Sequence, residues 1–197
     1  MKFVRFALGL AIFSAAALAA DEVEVSAVKF ANVRAPNGVV GNWLEADIAL
    51  IVHPAPGAAG AMVSRVRVGL LLGFELPALA GSERRTEHYR AEAECAALEA
   101  GRIDVRFYIP PEIVKRDQLH TDPKFWLIEV TASGRAQAPG RVSASPALAN
   151  PEARKNFQQR ATTNATPNDG LLLPQYLTPF AGEYPRATPS FVRREPR

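Results

Sequence analysis

One cysteine and three histidines are all that this 197-residue chain offers of the side chains most used in nucleophilic and metal chemistry. A lone Cys95 excludes an internal disulfide framework, so the fold must rest on an ordinary core. His53, His88 and His120 fall in different segments, and the nearest approach to an i, i+2 ligand pair is His120 with Asp122. Structural metal sites draw on three or four such ligands, so this pair reads as loop decoration and no metal is expected. The serines include no Gly-x-Ser-x-Gly elbow. Gly57, Gly60 and Gly69 form no phosphate-cradling pattern. Nor is there a basic domain. Residues 21–150 hold 14 basic and 16 acidic side chains, and residues 151–197 hold 7 and 4. The sequence pI of about 9.2 thus reflects a mildly basic C-terminal segment, which gives no footprint for nucleic acid.

Long apolar runs are also missing. The longest, Phe6 to Phe13, is too short for a membrane span, which needs about 20 residues. It sits between a basic start (Lys2, Arg5) and the small residues "SAAALAA", and Ala17-Leu18-Ala19 fits a signal-peptidase site. Residues 1–20 are therefore expected to be a cleaved leader, with the mature chain beginning at Ala20 or Asp21 and retaining no integral membrane segment. The cysteine lies far from the leader, and no Gly-Phe pair followed by a glutamate marks a pilin-type cut. Export to the periplasm or cell surface is the expectation.

What the chain has in abundance is alternation. "NWLEADIALIV" puts Leu44, Ala46, Ile48, Leu50 and Val52 on one face and Glu45 and Asp47 on the other. "VSRVRVGLLLGFEL" turns Val66, Val68, Leu70, Leu72 and Phe74 inward and Arg65 and Arg67 outward. "EHYRAEAECAAL" alternates Tyr89, Ala91, Ala93 and Cys95 with Arg90, Glu92 and Glu94. "RIDVRFYI" sets Ile103, Val105, Phe107 and Ile109 against Asp104, Arg106 and Tyr108. Period two with one polar face predicts antiparallel sheets wet on one side. Helix-favouring Ala and Glu in "EAECAALEAG" compete with that pattern, but the alternation runs from Tyr89 to Ala97 and favours a strand. "EVEVSAVKFANV" changes phase between Val25 and Val28, as a bulge would make it do. "FWLIEVTASG" adds a strand ending at a Ser133-Gly134 turn, and "GRVSASPAL" is a candidate short seventh. Pro111 can open a helical turn through Val114. About seven strands in residues 21–146 predict an all-β, immunoglobulin-like antiparallel sandwich, with an open-ended barrel as the competing geometry.

Beyond Ala147 the character changes. Asn150 and Pro151 mark a helix start, expected to run to about Arg160 before a polar spacer. Eight of the sixteen prolines lie between Pro146 and Pro196, which rules out a further ordinary sheet. Residues 147–197 thus read as a short helix and a proline-rich, extended, apolar tail. In that tail Leu173, Tyr176, Leu177, Phe180, Tyr184 and Phe191 are the candidate interaction residues, with Tyr176 and Phe180 as anchors. Pro179 forbids one continuous helix through them, so a turn from Pro174 to Thr178 and then extended chain is expected. Such a tail either covers its own sandwich or docks into a neighbour. Cys95, in phase with Tyr89, reads as core. Glu92 and Glu94 read as a solvated surface.

The stretches "RFYIPPEIVKRDQL" and "NDGLLLPQYLTPF", on an exported seven-strand body, resemble a family of pilus-like secreted immunoglobulin-fold proteins encoded with type IV pilus machinery in some Gram-negative bacteria. The resemblance implies an envelope or surface protein, no enzyme and no cofactor. Its partner would be an envelope protein, either a pilus component or another copy engaged through the tail. The alternative is a glycan- or small-ligand-binding sandwich, in which Trp43, opposite Leu44 in phase, would be an exposed platform and Trp126 a half-buried one.

Overall fold

The structure, a computed structural model, describes residues 22–38, 40–56, 61–76, 85–120, 122–184 and 188–193; the leader expected over residues 1–20 and its cut lie outside these. Strands β1 (Val23–Arg34), β2 (Asn42–Val52), β3 (Met62–Glu75), β4 (Thr86–Glu99) and β5 (Gly101–Ile109) come first. Helix α1 (Pro111–Arg116), β6 (Phe125–Ala132) and β7 (Arg135–Ala136) follow, then helix α2 (Pro151–Asn164) and the two-residue β8 (Leu173–Pro174). They form two antiparallel four-stranded sheets, one in the order β1-β2-β5-β8 and the other β4-β3-β6-β7. The protein is an all-β sandwich of the immunoglobulin type. The first seven strands follow the immunoglobulin connections, except that the fourth pairs with the third instead of lying beside the fifth. The place beside the fifth is taken by β8.

The inner faces are the ones the alternation predicts. Leu44, Ile48, Leu50, Val66, Val68, Leu70, Leu72, Val105, Phe107 and Tyr89 are essentially inaccessible and pack in one core. β4 is a strand along its length, in register with β3 from Thr86 to Glu99. The phase change in β1 is a bulge between Val25 and Ala27. In β3 the pairing skips Arg65, which has a φ of 49°, but resumes at Val66 in unchanged register, so the strand is locally irregular without a second bulge.

Four expectations need correction. The seventh strand is Arg135–Ala136, paired with β6 across the Ser133-Gly134 turn. "GRVSASPAL" contributes only a bridge from Ala144 to Leu127, with Ile128 N–H donating to Ser143 O and Ser145 N–H to Trp126 O. A hairpin that closes immediately after the turn leaves the later segment only a single crossing. Helix α2 runs one turn past Arg160, to Asn164, capped by Asn150, which accepts from Glu152 N–H at 2.8 Å. Its Phe157 and Ala161 are buried against Leu71, Leu127 and Leu148. This helix supplies the apolar contact that holds the extra turn.

The outer faces are not simply wet, which is the third correction. α2 covers part of the β4-β3-β6-β7 sheet. Gly73 permits that approach: a Cβ there would lie 3.0 Å from Phe157 and 3.2 Å from Phe125. The C-terminal segment covers part of the other sheet. Finally, the tail after Leu177 is not extended throughout, since residues 179–183 turn before the chain straightens at 188–193.

Candidate interaction surface: the C-terminal arm

The arm begins at a fixed point. Asp169 accepts two hydrogen bonds from Arg90, at 2.7 and 2.8 Å. Buried Asn168 donates to Glu87 and to His88 O, and accepts from Arg116. Gly170 follows with φ of 78°, a left-handed conformation that glycine adopts without strain. From there the chain crosses one flank of the sandwich.

On that flank the arm closes both sheets. β8 pairs with the exposed edge of β5, Leu173 opposite Tyr108 and Pro174 opposite Phe107. Further on, Phe191 bridges Cys95 on the edge of β4. Ala96 N–H donates to Ser190 O at 3.0 Å and Val192 N–H to Glu94 O at 2.7 Å, so Cys95 and Phe191 form a narrow, non-hydrogen-bonded pair. Free strand edges invite pairing with other chains, and this arm occupies two of them.

Between these clasps Phe180 enters a pocket on the outer face of β2 and β5. Its ring stacks on Tyr108, with centroids 4.3 Å apart, and meets Trp43 edge-on at 5.7 Å. Ala35, Trp43, Tyr108 and Phe180 form a buried cluster separate from the main core, with Val33 and Leu173 packed against it. Trp43 is therefore not the exposed platform that its phase implies. It is 7% accessible because the arm lies over it. Trp126 is half-buried beside Phe30.

Charged groups lie under the same cover. Tyr108 hydroxyl donates to Glu45 at 2.8 Å. Arg106, 5% accessible, sits 3.4 Å from Asp47 and 3.2 Å from Asp104, and its guanidinium lies 4.3 Å from the centre of the Tyr184 ring. Burial raises the Glu45 carboxyl above its ordinary value, with Asp47 adding to the rise and Tyr108 opposing it. Burial likewise raises Asp47, against the pull of Arg106.

The candidate residues divide accordingly. Phe180 is a buried anchor. Leu173 is half-buried in the β5 pairing, and Phe191 packs against the core from the β4 edge. Tyr176 instead meets Phe191 at 5.2 Å, a contact within the arm. Leu177 and Tyr184 are 40% and 45% accessible, although Tyr184 keeps its contact with Arg106. Sequence reasoning missed Leu172, buried in the main core, and Gln175, which is wholly buried. Gln175 Nε2 donates to Phe180 O at 2.9 Å and to Glu183 O at 3.0 Å. Thr178 Oγ1 donates to Gln175 O at 2.7 Å and accepts from Phe180 N–H. A polar residue amid "LLLPQYL" was the available signal, since a buried amide must be hydrogen-bonded.

The remaining candidates stay apart. His53, His120 and Asp122 are exposed, whereas His88 is buried beside Phe157. Among the described residues no three His, Cys, Asp or Glu side chains come together as metal ligands. Cys95 is fully buried, and burial, with the Glu94 charge, pushes its thiol up to about 12. Glu92 is exposed. Glu94, read as solvated, is only 6% accessible and faces Arg67 at 3.5 Å. A cleft of about 480 Å³ lies beside α2. Its charges are mixed, with Arg67 and Lys155 near Glu92 and Glu129, and no aromatic ring lines it.

No family model matches the chain, and no curated protein matches it. A protein of Akkermansia muciniphila known from a crystal structure is similar over 88% of this chain and 94% of its own, with a TM-score of 0.63 and 17% identity. At that identity the likeness is one of fold. No described helix is long and apolar enough to cross a membrane.

Proposed function

We propose that this chain is a non-enzymatic, exported structural or interaction module of the cell envelope, pilus-like or pilus-associated. The observation that carries the reading is the arm. A segment that closes two sheet edges and roofs an aromatic pocket is a device for controlling what the sandwich pairs with. Glu45 with Tyr108, and Arg106 with Asp47 and Asp104, lie beneath the arm, while Asp117 ties α1 to β4 through Tyr89. The resemblance of "RFYIPPEIVKRDQL" and "NDGLLLPQYLTPF" to pilus-like secreted proteins supplies the pilus association. The leader-like start supplies export.

The test is fractionation of a Gram-negative host expressing the tagged full chain, with intact-mass measurement of the recovered protein. The expected result is envelope or surface recovery with a mature start at Ala20 or Asp21, and co-purification with pilus components. Cytoplasmic recovery, or Met1 retained in a membrane pellet, overturns the localisation. Turnover of a substrate by the purified protein overturns the non-enzymatic reading.

A further inference from the structure

We propose that the arm from Gly170 onward is exchangeable, and that the groove it fills takes the same arm from a second copy of this chain. The inference rests on the reading of the arm as the interaction element, and names its partner.

Three features of the arm support exchange. It has a sharp boundary, because Asp169 and Asn168 are bonded to β4 and α1 while Gly170 sits at a left-handed joint where a Cβ would meet nothing within 4 Å. It is also organised internally. Gln175 ties Phe180, Glu183 and Thr188 together, and Thr178 caps the same turn, so this part of the arm can leave and dock as one piece. Pre-organisation of that kind lowers the ordering cost of docking elsewhere. Third, the pocket for Phe180 is a cluster apart from the main core, leaving Leu171, Leu172 and Phe191 as the contacts with the main core to be transferred.

The groove is matched to this arm in particular. Tyr108 and Trp43 receive an aromatic ring face-on and edge-on, Arg106 receives a second ring, and the β4 and β5 edges each receive a short extended strand. Any copy of the chain carries all four features at the right spacing. The contacts are the same in the closed and exchanged forms, so the balance depends on the joint and on concentration. In both forms the two sheet edges stay covered, whereas an arm merely released would bare them.

The narrow Cys95–Phe191 pair provides the test. F191C places a second thiol opposite Cys95 at a spacing suited to a disulfide. Isotopically light and heavy full-length F191C chains are refolded together in a glutathione redox buffer at rising concentration. The peptides linking positions 95 and 191 are then weighed. Exchange predicts light–heavy links that approach the statistical mixture as concentration rises, together with covalent dimers. Links only within light or within heavy chains, at every concentration, overturn it. If F191C fails to refold, the solution mass of the unmodified chain decides: a concentration-dependent dimer supports exchange, and a monomer from micromolar to millimolar overturns it. Envelope recovery of a strictly monomeric protein would remove the exchange and leave the proposed function standing; cytoplasmic recovery would remove the latter whatever the isotope pattern.

Discussion

Phe180 lies flat on Tyr108, the two rings 4.3 Å apart and within 4° of parallel, although one residue belongs to the arm and the other to β5. The contact makes Tyr108, an outward-facing residue by alternation, one of the most deeply buried side chains in the protein.

Phe180→Ala should therefore behave as a core truncation. The expected loss is about 3 kcal/mol, a fall of roughly 6–12 °C in melting temperature for a chain of this size. Leu177→Ala, at an exposed position of the same arm, should change stability by less than about 0.5 kcal/mol. Thermal melts of the two variants check this. Equal small effects would mean that the arm does not stabilise the body it lies on.

Cys95 should be inert in the folded protein. Its thiol is fully buried and pushed up to about 12, so almost none is thiolate near neutrality. Labelling by a thiol reagent should be slow in buffer and become fast in denaturant. Fast labelling without denaturant would contradict the strand phase of β4.

His88 should make acid destabilising. Burial, followed by the positive charge of Arg160, holds its folded value below the ordinary 6.5. The unfolded chain therefore takes up the proton first. Its contribution is fully present above 6.5 and is lost progressively as pH falls from there toward the lowered folded value. His88→Gln should flatten that part of the stability profile, measured as urea midpoints across the window. An unchanged slope would remove His88 from the account.

Glu45 should act in the opposite sense. Its folded value is raised, mainly by burial, so the ionised form weakens the native state at neutral pH and protonation relieves it as pH falls. Glu45→Gln keeps an oxygen to accept from Tyr108. The variant should unfold at higher urea than the parent at neutral pH, and its advantage should shrink on acidification. A variant less stable at neutral pH would show that Arg106 and Tyr108 need the charge.

The inner faces were legible because alternation reports directly on which side chains meet across the sandwich, and Leu44 to Val52 or Val66 to Phe74 needed no other information. The outer faces were not. Period two separates Glu45, Arg106 and Tyr108 from the core, but it carries nothing about a segment far along the chain that returns to cover them. Trp43 was misplaced for that reason. The arm's apolar character was plain in "GLLLPQYLTPF", yet its destination depended on where the β4 and β5 edges ended up in space. The seventh strand failed differently: two residues, Arg135 and Ala136, are too few to show a period.

The clasp at Cys95 and Phe191 joins positions 96 residues apart. A chain made from its N-terminus completes β4 and β5 long before the segment that shields them exists. For that interval the flank is exposed, with a bare pocket of Trp43 and Tyr108 beside it. Nascent and early-folding molecules are then at their most adhesive, and a ribosome-bound chain depends on prompt arrival of the arm to avoid joining its neighbours.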